Sequence, residues 1–370
     1  MNWFHVRALA CCVVLVLAGP EAAARFGQVN LVSDDLSVHP AQIVDPMLKN
    51  AWGMSFGPTS PFWVSSTDGG VSTIYSVDPA SQATSKVALT VTVGGGPTGQ
   101  VFNSSNGFNG NRFLFVSEDG SVHGWRGALG TSAETLVTGS PENSYKGAAI
   151  GTLGGSTYLY GANFKAGTVD VYKGDALDPN LSGNFTDPNL PAGYAPFNMQ
   201  NLGDTLYVTY AFKSDPGDDE ETKGPGLGIV DAFDLNGNLK ARVASGNALN
   251  APWGLAIAPS SFGALAGSLL VGNFGDGRIS MFDAATHEYL GQVAGVDGSP
   301  LAIDGLWAIS PGNDGSAGSS ALLYFTAGPD DEQHGLFGVL SAVPESSTVT
   351  LTLLGLVCLA AFASRRRGGG

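Results

Sequence analysis

Two acidic runs hold the densest chemistry in the chain. Asp330-Asp331-Glu332 is followed by His334, which places three carboxylates and an imidazole within five positions. Asp218, Asp219 and Glu220, with Glu221 beside them, offer oxygen ligands of the kind a divalent metal takes. A third set is dispersed: Asn50, Asn163, Asn198, Asn273 and Asp304. Gathered round one point by the fold, such amide and carboxylate oxygens would suit calcium, or a hydroxyl-rich sugar with a bridging ion. No EF-hand spacing is present, so the fold itself would have to build any calcium site. Asp, Asn and Gly are also the residues that tight turns require. The turn reading takes precedence for Asp68-Gly69, Asp119-Gly120 and Asp276-Gly277, and a solvated loop for the run from Asp218 to Glu221.

Several chemistries lack their residues. There is no Gly-x-Ser-x-Gly elbow and no His-Glu-x-x-His motif. Gly94-Gly95-Gly96-Pro97 is followed by no helix pattern, so it reads as a turn and not as a phosphate cradle. Cys11, Cys12 and Cys358 all lie near the ends, which leaves the body without a disulfide, a zinc-thiolate site or a cysteine nucleophile. Of the histidines, His123 falls in a strand pattern and His287 beside Glu288 in a turn. An electron-transfer protein holding a quinone or haem is a further reading, but Cys-x-x-Cys-His is absent. A net charge of −15 repels phosphate backbones and excludes nucleic acid as a partner.

The elements that would position these residues form a repeat. Six segments begin near residues 52, 99, 148, 198, 253 and 306. Each opens on a strand of small residues, continues through an aromatic and β-branched strand, and turns at Gly or Asp into an alternating strand. A period of about 50 residues is that of propeller repeats. Gly accounts for 53 of 370 residues and charged residues for 13%, as short strands joined by tight turns require. The spacing therefore predicts an all-β, six-bladed β-propeller with four strands per blade. The sixth repeat lacks a fourth strand, and Gly27 to Val32 is expected to fill that place and close the ring. Loops before the innermost strands and after the second strands share one face, which receives Asn50, Lys146, Asn198 and Asp304 with Glu118, Asn163, Lys165 and Asn273. Trp52, Trp253 and Trp307 recur at the start of innermost strands, where packing between blades is expected in preference to sugar stacking.

The ends read as processing segments. Residues 1–24 carry Arg7, an apolar run from Ala8 to Ala18, and Ala22-Ala23-Ala24 before Arg25, the pattern of a cleaved signal peptide. Residues 344–370 hold Pro344 and Glu345 after Val343, an apolar span at 348–363, and Arg365, Arg366 and Arg367. The arginines read as a cytoplasmic stop. A Pro-Glu motif, a short apolar span and an Arg cluster resemble the PEP-CTERM sorting signal, although Ser346 stands where that signal usually has a second Pro.

Further strings carry a wider resemblance: Asn50-Ala51-Trp52-Gly53, Pro252-Trp253-Gly254-Leu255, Gly272-Asn273-Phe274-Gly275-Asp276-Gly277, and Phe325 to Glu332. With them the chain resembles an uncharacterised family of exported bacterial propeller-like proteins, some with PEP-CTERM tails. Its blades are loosely similar to NHL-type and gluconolactonase-like propellers. The resemblance implies residues 25–343 as one propeller, located in the periplasm, at the cell surface or in the extracellular matrix after transient anchoring in the inner membrane. The sorting machinery would be one partner, and matrix polysaccharide or an envelope protein another. No residue set requires an enzyme, so the leading expectation is a binding or scaffolding propeller. The alternative is a divalent-metal-dependent hydrolase or lactonase with its site in the central channel, and Ca2+ is the cofactor to expect, if any.

Overall fold

The computed structural model describes residues 24–174 and 180–343. Residues 1–23, which hold nearly all of the expected signal peptide of 1–24, and the residues from Pro344 onward, including Glu345 and Arg365 to Arg367, lie outside the described residues. No helix among the described residues is long and apolar enough to cross a membrane.

The chain begins with β1 (Arg25–Ser33) and the short β2 (Ile43–Val44), which belong to the last blade. Blade 1 holds β3 (Ala51–Ser55), β4 (Phe62–Ser66), β5 (Val71–Val77) and β6 (Thr84–Thr92). Blade 2 holds β7 (Pro97–Phe102), β8 (Phe113–Ser117), β9 (Val122–Trp125) and β10 (Glu134–Val137). Blade 3 holds β11 (Tyr145–Leu153), β12 (Ser156–Asn163) and β13 (Thr168–Lys173). Blade 4 holds β14 (Tyr194–Leu202), β15 (Thr205–Phe212), β16 (Ile229–Phe233) and β17 (Leu239–Ser245). Blade 5 holds β18 (Pro252–Ile257), β19 (Leu269–Asn273), β20 (Ile279–Phe282) and β21 (Tyr289–Gln292), and β22 (Ala294–Gly295) follows it. Blade 6 holds β23 (Leu306–Pro311), β24 (Leu323–Ala327) and β25 (Leu336–Val343). Each innermost strand touches the innermost strand of the next blade, and β23 returns to β3, so the ring is closed.

The N-terminal strand makes that closure, as the sequence predicts. β1 runs antiparallel to β25 from Arg25 opposite Val343 to Ser33 opposite Leu336. An unpaired β25 would expose a row of backbone donors and acceptors. The short strands β2 and β22 pair with β1 in turn.

Blade 3 departs from the expected four strands and has three among the described residues. The chain beyond Asn180 leaves this blade and docks on blade 4. There the Gly183 N–H donates to the Asn236 carbonyl and the Phe185 N–H to that of Gly237. Pro188 and Pro191 in this segment lack the N–H a ladder requires. Phe185 is instead buried with Tyr160, Tyr210 and Phe233 between blades 3 and 4. Arg242 ties the segment down, binding Asp187 and, at 2.7 Å, Asp231.

Glycine sets the width of the channel. A Cβ on Gly53 would lie 2.4 Å from the Thr98 carbonyl oxygen of the next blade. On Gly99 it would lie 2.5 Å from the Ala148 nitrogen, and on Gly254 2.8 Å from the Trp307 carbonyl oxygen. Neighbouring innermost strands thus meet backbone to backbone. The space left among Gly53, Gly99, Asn198 and Trp253 is a cavity of about 30 Å³, room for one water or so. Gly99→Val is expected to destabilise the fold by about 3 kcal/mol, since the obstacle is backbone and overpacking costs about 1–3 kcal/mol or more. Gly127→Ala, at a position with nothing within 4 Å, should change stability by less than about 0.5 kcal/mol, and denaturant titration of the two variants checks both values.

Candidate functional site

One face of the channel is stopped by aromatic rings. Trp52 and Trp307 stack with centroids 3.8 Å apart, and Phe274 stacks on Trp307 at 3.7 Å. Trp253 meets Trp307 edge-on at 5.9 Å, and Phe197 links Trp307 to Phe164. The rings come from blades 1, 3, 4, 5 and 6. The tryptophans are core residues, as expected, but they pack across the propeller axis and not only between adjacent blades. Equivalent positions on innermost strands face one another once the ring closes. The indole Nε1 of Trp307 donates to Asn50 Oδ1 at 3.0 Å, and that of Trp253 to the Lys146 carbonyl at 2.9 Å.

Charge sits directly on this plug. Lys146, at the start of β11, is 1% exposed. Its Nζ lies 2.6 Å from Glu118 Oε1, 3.3 Å from Glu220 Oε1 and 5.3 Å from the centroid of the Trp52 ring. Burial pulls the lysine pKa down, but the charges of Glu118 and Glu220 outweigh it and hold the ammonium above its usual value. Lys223 lies 4.1 Å over the ring of Phe274. Between the lysines are Glu221 and Glu332. Burial pushes Glu221 up to about 7, although Lys146 opposes the shift. Burial also raises Glu332, which accepts a bond of 2.6 Å from Asn50 Nδ2.

Glu332 reaches the mouth through a strained turn. Asp330, Asp331 and Glu332 have φ of 56°, 52° and 67°, three consecutive side-chain-bearing residues in the left-handed region. That conformation costs about 1–2 kcal/mol per residue. The Glu332 N–H donates to the Gly328 carbonyl at 3.1 Å, which fixes the turn, and strain held this way marks functional segments. From the mouth a groove of about 510 Å³ runs outward past Glu118, Asp119, Asn143, Lys165 and Asp219.

The dispersed set does not converge. Asn163 Oδ1 accepts from the Ser144 N–H and Asn273 Oδ1 from the Asn250 N–H, so each pins the loop that enters its own blade. Asn198 Nδ2 donates to the Trp253 carbonyl at 2.7 Å, and Asp304 Oδ2 accepts from the Asp330 N–H. Of the five, Asn50 touches the mouth. The polar atoms of Asn163, Asn198, Asn273 and Asp304 are taken up by separate backbone groups, and aromatic rings fill the space between them. Asp218 turns to the Asp215 N–H, Asp219 to Lys165 at 3.6 Å and Glu220 to Lys146, so this run splits among three partners. Asp330 bonds His39 at 2.8 Å, His334 bonds the buried Asp34 at 3.0 Å, and Asp331 stands exposed. No group of three or more His, Cys, Asp or Glu placed to hold a metal is present among the described residues. Asp119 and Asp276 bond the N–H two residues on, as turn residues do. Lys146 and Glu118 stand on the face where the sequence places them and Glu221 lies in the acidic loop, but the sequence gives none of them a role and does not single out Lys223. The available signal was Lys146 itself, a lysine opening a strand of small residues.

No family model matches the chain. Two proteins of Acanthamoeba polyphaga mimivirus, the uncharacterized proteins L690 and R648, are 30% and 31% identical to it. The matches cover 87% and 86% of this chain and 87% and 81% of the viral ones. Among solved structures, an α-L-arabinofuranosidase from Fusarium graminearum is similar with a TM-score of 0.53 and 10% identity, over 86% of this chain and 98% of that one. The periplasmic gluconolactonase of Pseudomonas aeruginosa has a TM-score of 0.46 and 17% identity, over 80% and 88%. Likeness at these identities speaks to the fold alone.

The raised pKa of Glu221 carries a stability consequence. Its folded pKa of about 7 exceeds the ordinary 4.5, so the folded state holds the proton more tightly. That contribution is complete below pH 4.5 and disappears as pH rises through 7. Denaturant unfolding across this window should show a decline on the order of 3 kcal/mol or less that Glu221→Gln removes.

Proposed function

The chain belongs to the family of the mimivirus proteins L690 and R648, and from that premise we propose that it is a binding propeller that seats a hydroxyl-rich saccharide at the mouth of its closed channel. The observation that carries the reading is the layer of Lys146, Lys223, Glu118, Glu221 and Glu332 on the aromatic plug. Interleaved ammonium and carboxylate groups supply donors and acceptors for vicinal hydroxyls. The plug prevents threading, so a ligand lies across the face and along the groove past Lys165. Export to the envelope fits this reading, with matrix polysaccharide or an envelope glycoprotein as the partner. Cleavage before Arg25 and sorting through Pro344, Glu345 and the terminal arginines would leave β1 and β25 intact, because both end where those segments begin.

A second reading, as a hydrolase or lactonase, is favoured by one observation. Burial holds Glu221 near 7 and also raises Glu332, and a carboxyl that keeps its proton near neutrality is the form a general acid takes in hydrolases. Acid release from lactones, or release of reducing sugar from glycosides, abolished in Glu221→Gln, would support it.

Binding is tested with the full chain by affinity electrophoresis in neutral and acidic polysaccharides. Retardation is expected, weakened at least tenfold in Glu332→Ala and in Lys146→Met. Retardation unchanged in both variants, or absent with every envelope polysaccharide, overturns the assignment. Mass spectrometry of the envelope fraction is expected to find Arg25 as the first residue.

A further inference from the structure

A second ligand position lies away from the mouth, between blades 4 and 5. A groove of about 580 Å³ separates β17 from β20 and β21. That volume falls within the roughly 300–1,000 Å³ of small-molecule sites. Its floor includes Val243 and Phe282, both buried. Tyr289 forms one wall: it is 49% exposed and its ring lies 5.6 Å from that of Phe282. A tyrosine held against a buried ring, with its own ring half open, is a ready stacking surface.

Three polar side chains round this wall have nothing to bind. Arg278, His287 and Asn247 line the groove, and none makes a side-chain hydrogen bond or ion pair with a described residue. Arg126 and Arg242 hold carboxylates and Arg25 and Arg112 bond backbone carbonyls, whereas the Arg278 guanidinium has neither among the described residues. Asp276 lines the same groove, but its Oδ1 accepts from the backbone N–H of Arg278 at 3.1 Å and leaves the guanidinium fork unpaired. A guanidinium prefers a two-oxygen anion, which it meets with two parallel bonds.

We propose that this groove binds a carboxylated six-membered ring, with the ring on Tyr289 and the carboxylate on Arg278. His287 and Asn247 supply bonds to the remaining oxygens. The chemistry is shared by a uronic acid unit of an acidic polysaccharide and by a free aromatic acid, and the test separates them. The site is independent of the mouth and stands whether or not a saccharide binds there.

The test is calorimetric titration of the full chain with glucuronate, benzoate and glucose. Saturable binding of at least one acid is expected, with glucose at least tenfold weaker. Benzoate alone assigns the groove to aromatic acids, and glucuronate alone, or both, to uronates. Arg278→Gln and Tyr289→Ala should each weaken the acid at least tenfold. Thermal midpoints should stay near that of the parent, since both side chains are exposed. Glu332→Ala, at the mouth, should leave this binding unchanged. Failure of both acids to bind at millimolar concentration, equal binding of glucose, or full affinity in Arg278→Gln overturns the proposal.

Discussion

The rest of the molecule depends on how closely the innermost strands approach. Gly53, Gly99 and Gly254 leave no room for a Cβ against the next blade, so the ring contracts until backbone meets backbone. Contraction brings together Trp52 and Trp307, near the starts of innermost strands, and Phe274, just past the end of a second strand, and the three rings stack at 3.7–3.8 Å. A wider ring would have left a channel lined by separate side chains. This one has a solid centre, and its chemistry is displaced onto the face.

Displacement explains the electrostatics. Lys146 stands second on the innermost strand of blade 3 and is carried into the plug by that strand, where a bare ammonium would be costly. Glu118 and Glu220 come to it from the second-strand turn of blade 2 and the long loop of blade 4. The acids that gather round this lysine crowd one another, and Glu221, the most enclosed of them, keeps its proton to near neutrality. The left-handed turn at Asp330 to Glu332 completes the cluster from blade 6.

Much of the fold was legible because it is written locally. Strand alternation, Gly/Asp turns and a period of about 50 residues gave six blades, and Val/Leu alternation before residue 33 gave the closing strand. That blade 3 has three strands among the described residues was less visible, since Pro188 and Pro191 look like loop residues until Phe185 is seen buried on blade 4. The site was legible only in part. Asn50 and Glu332 were singled out and do meet. Asn163 and Asn273 do stand at the loops expected of them, where they brace those loops and the neighbouring strands, and a turn asparagine and a ligand asparagine have the same sequence surroundings. Lys146 and Glu118 lie 28 positions apart, on different blades, and no local pattern announces such a pair.

The pairing of β1 with β25 has a consequence in time. Among the described residues, the first strand to be synthesised is hydrogen-bonded to the last, over some 300 residues of intervening chain. Until that last strand exists, blade 6 has no outer partner and the ring stays open between its ends. The loop-closure entropy of the whole molecule therefore falls on one late event, which makes folding slow and the finished ring hard to reopen from either end. A chain built this way remains unlocked while it is being made, and becomes a single cooperative object only once all of it is present.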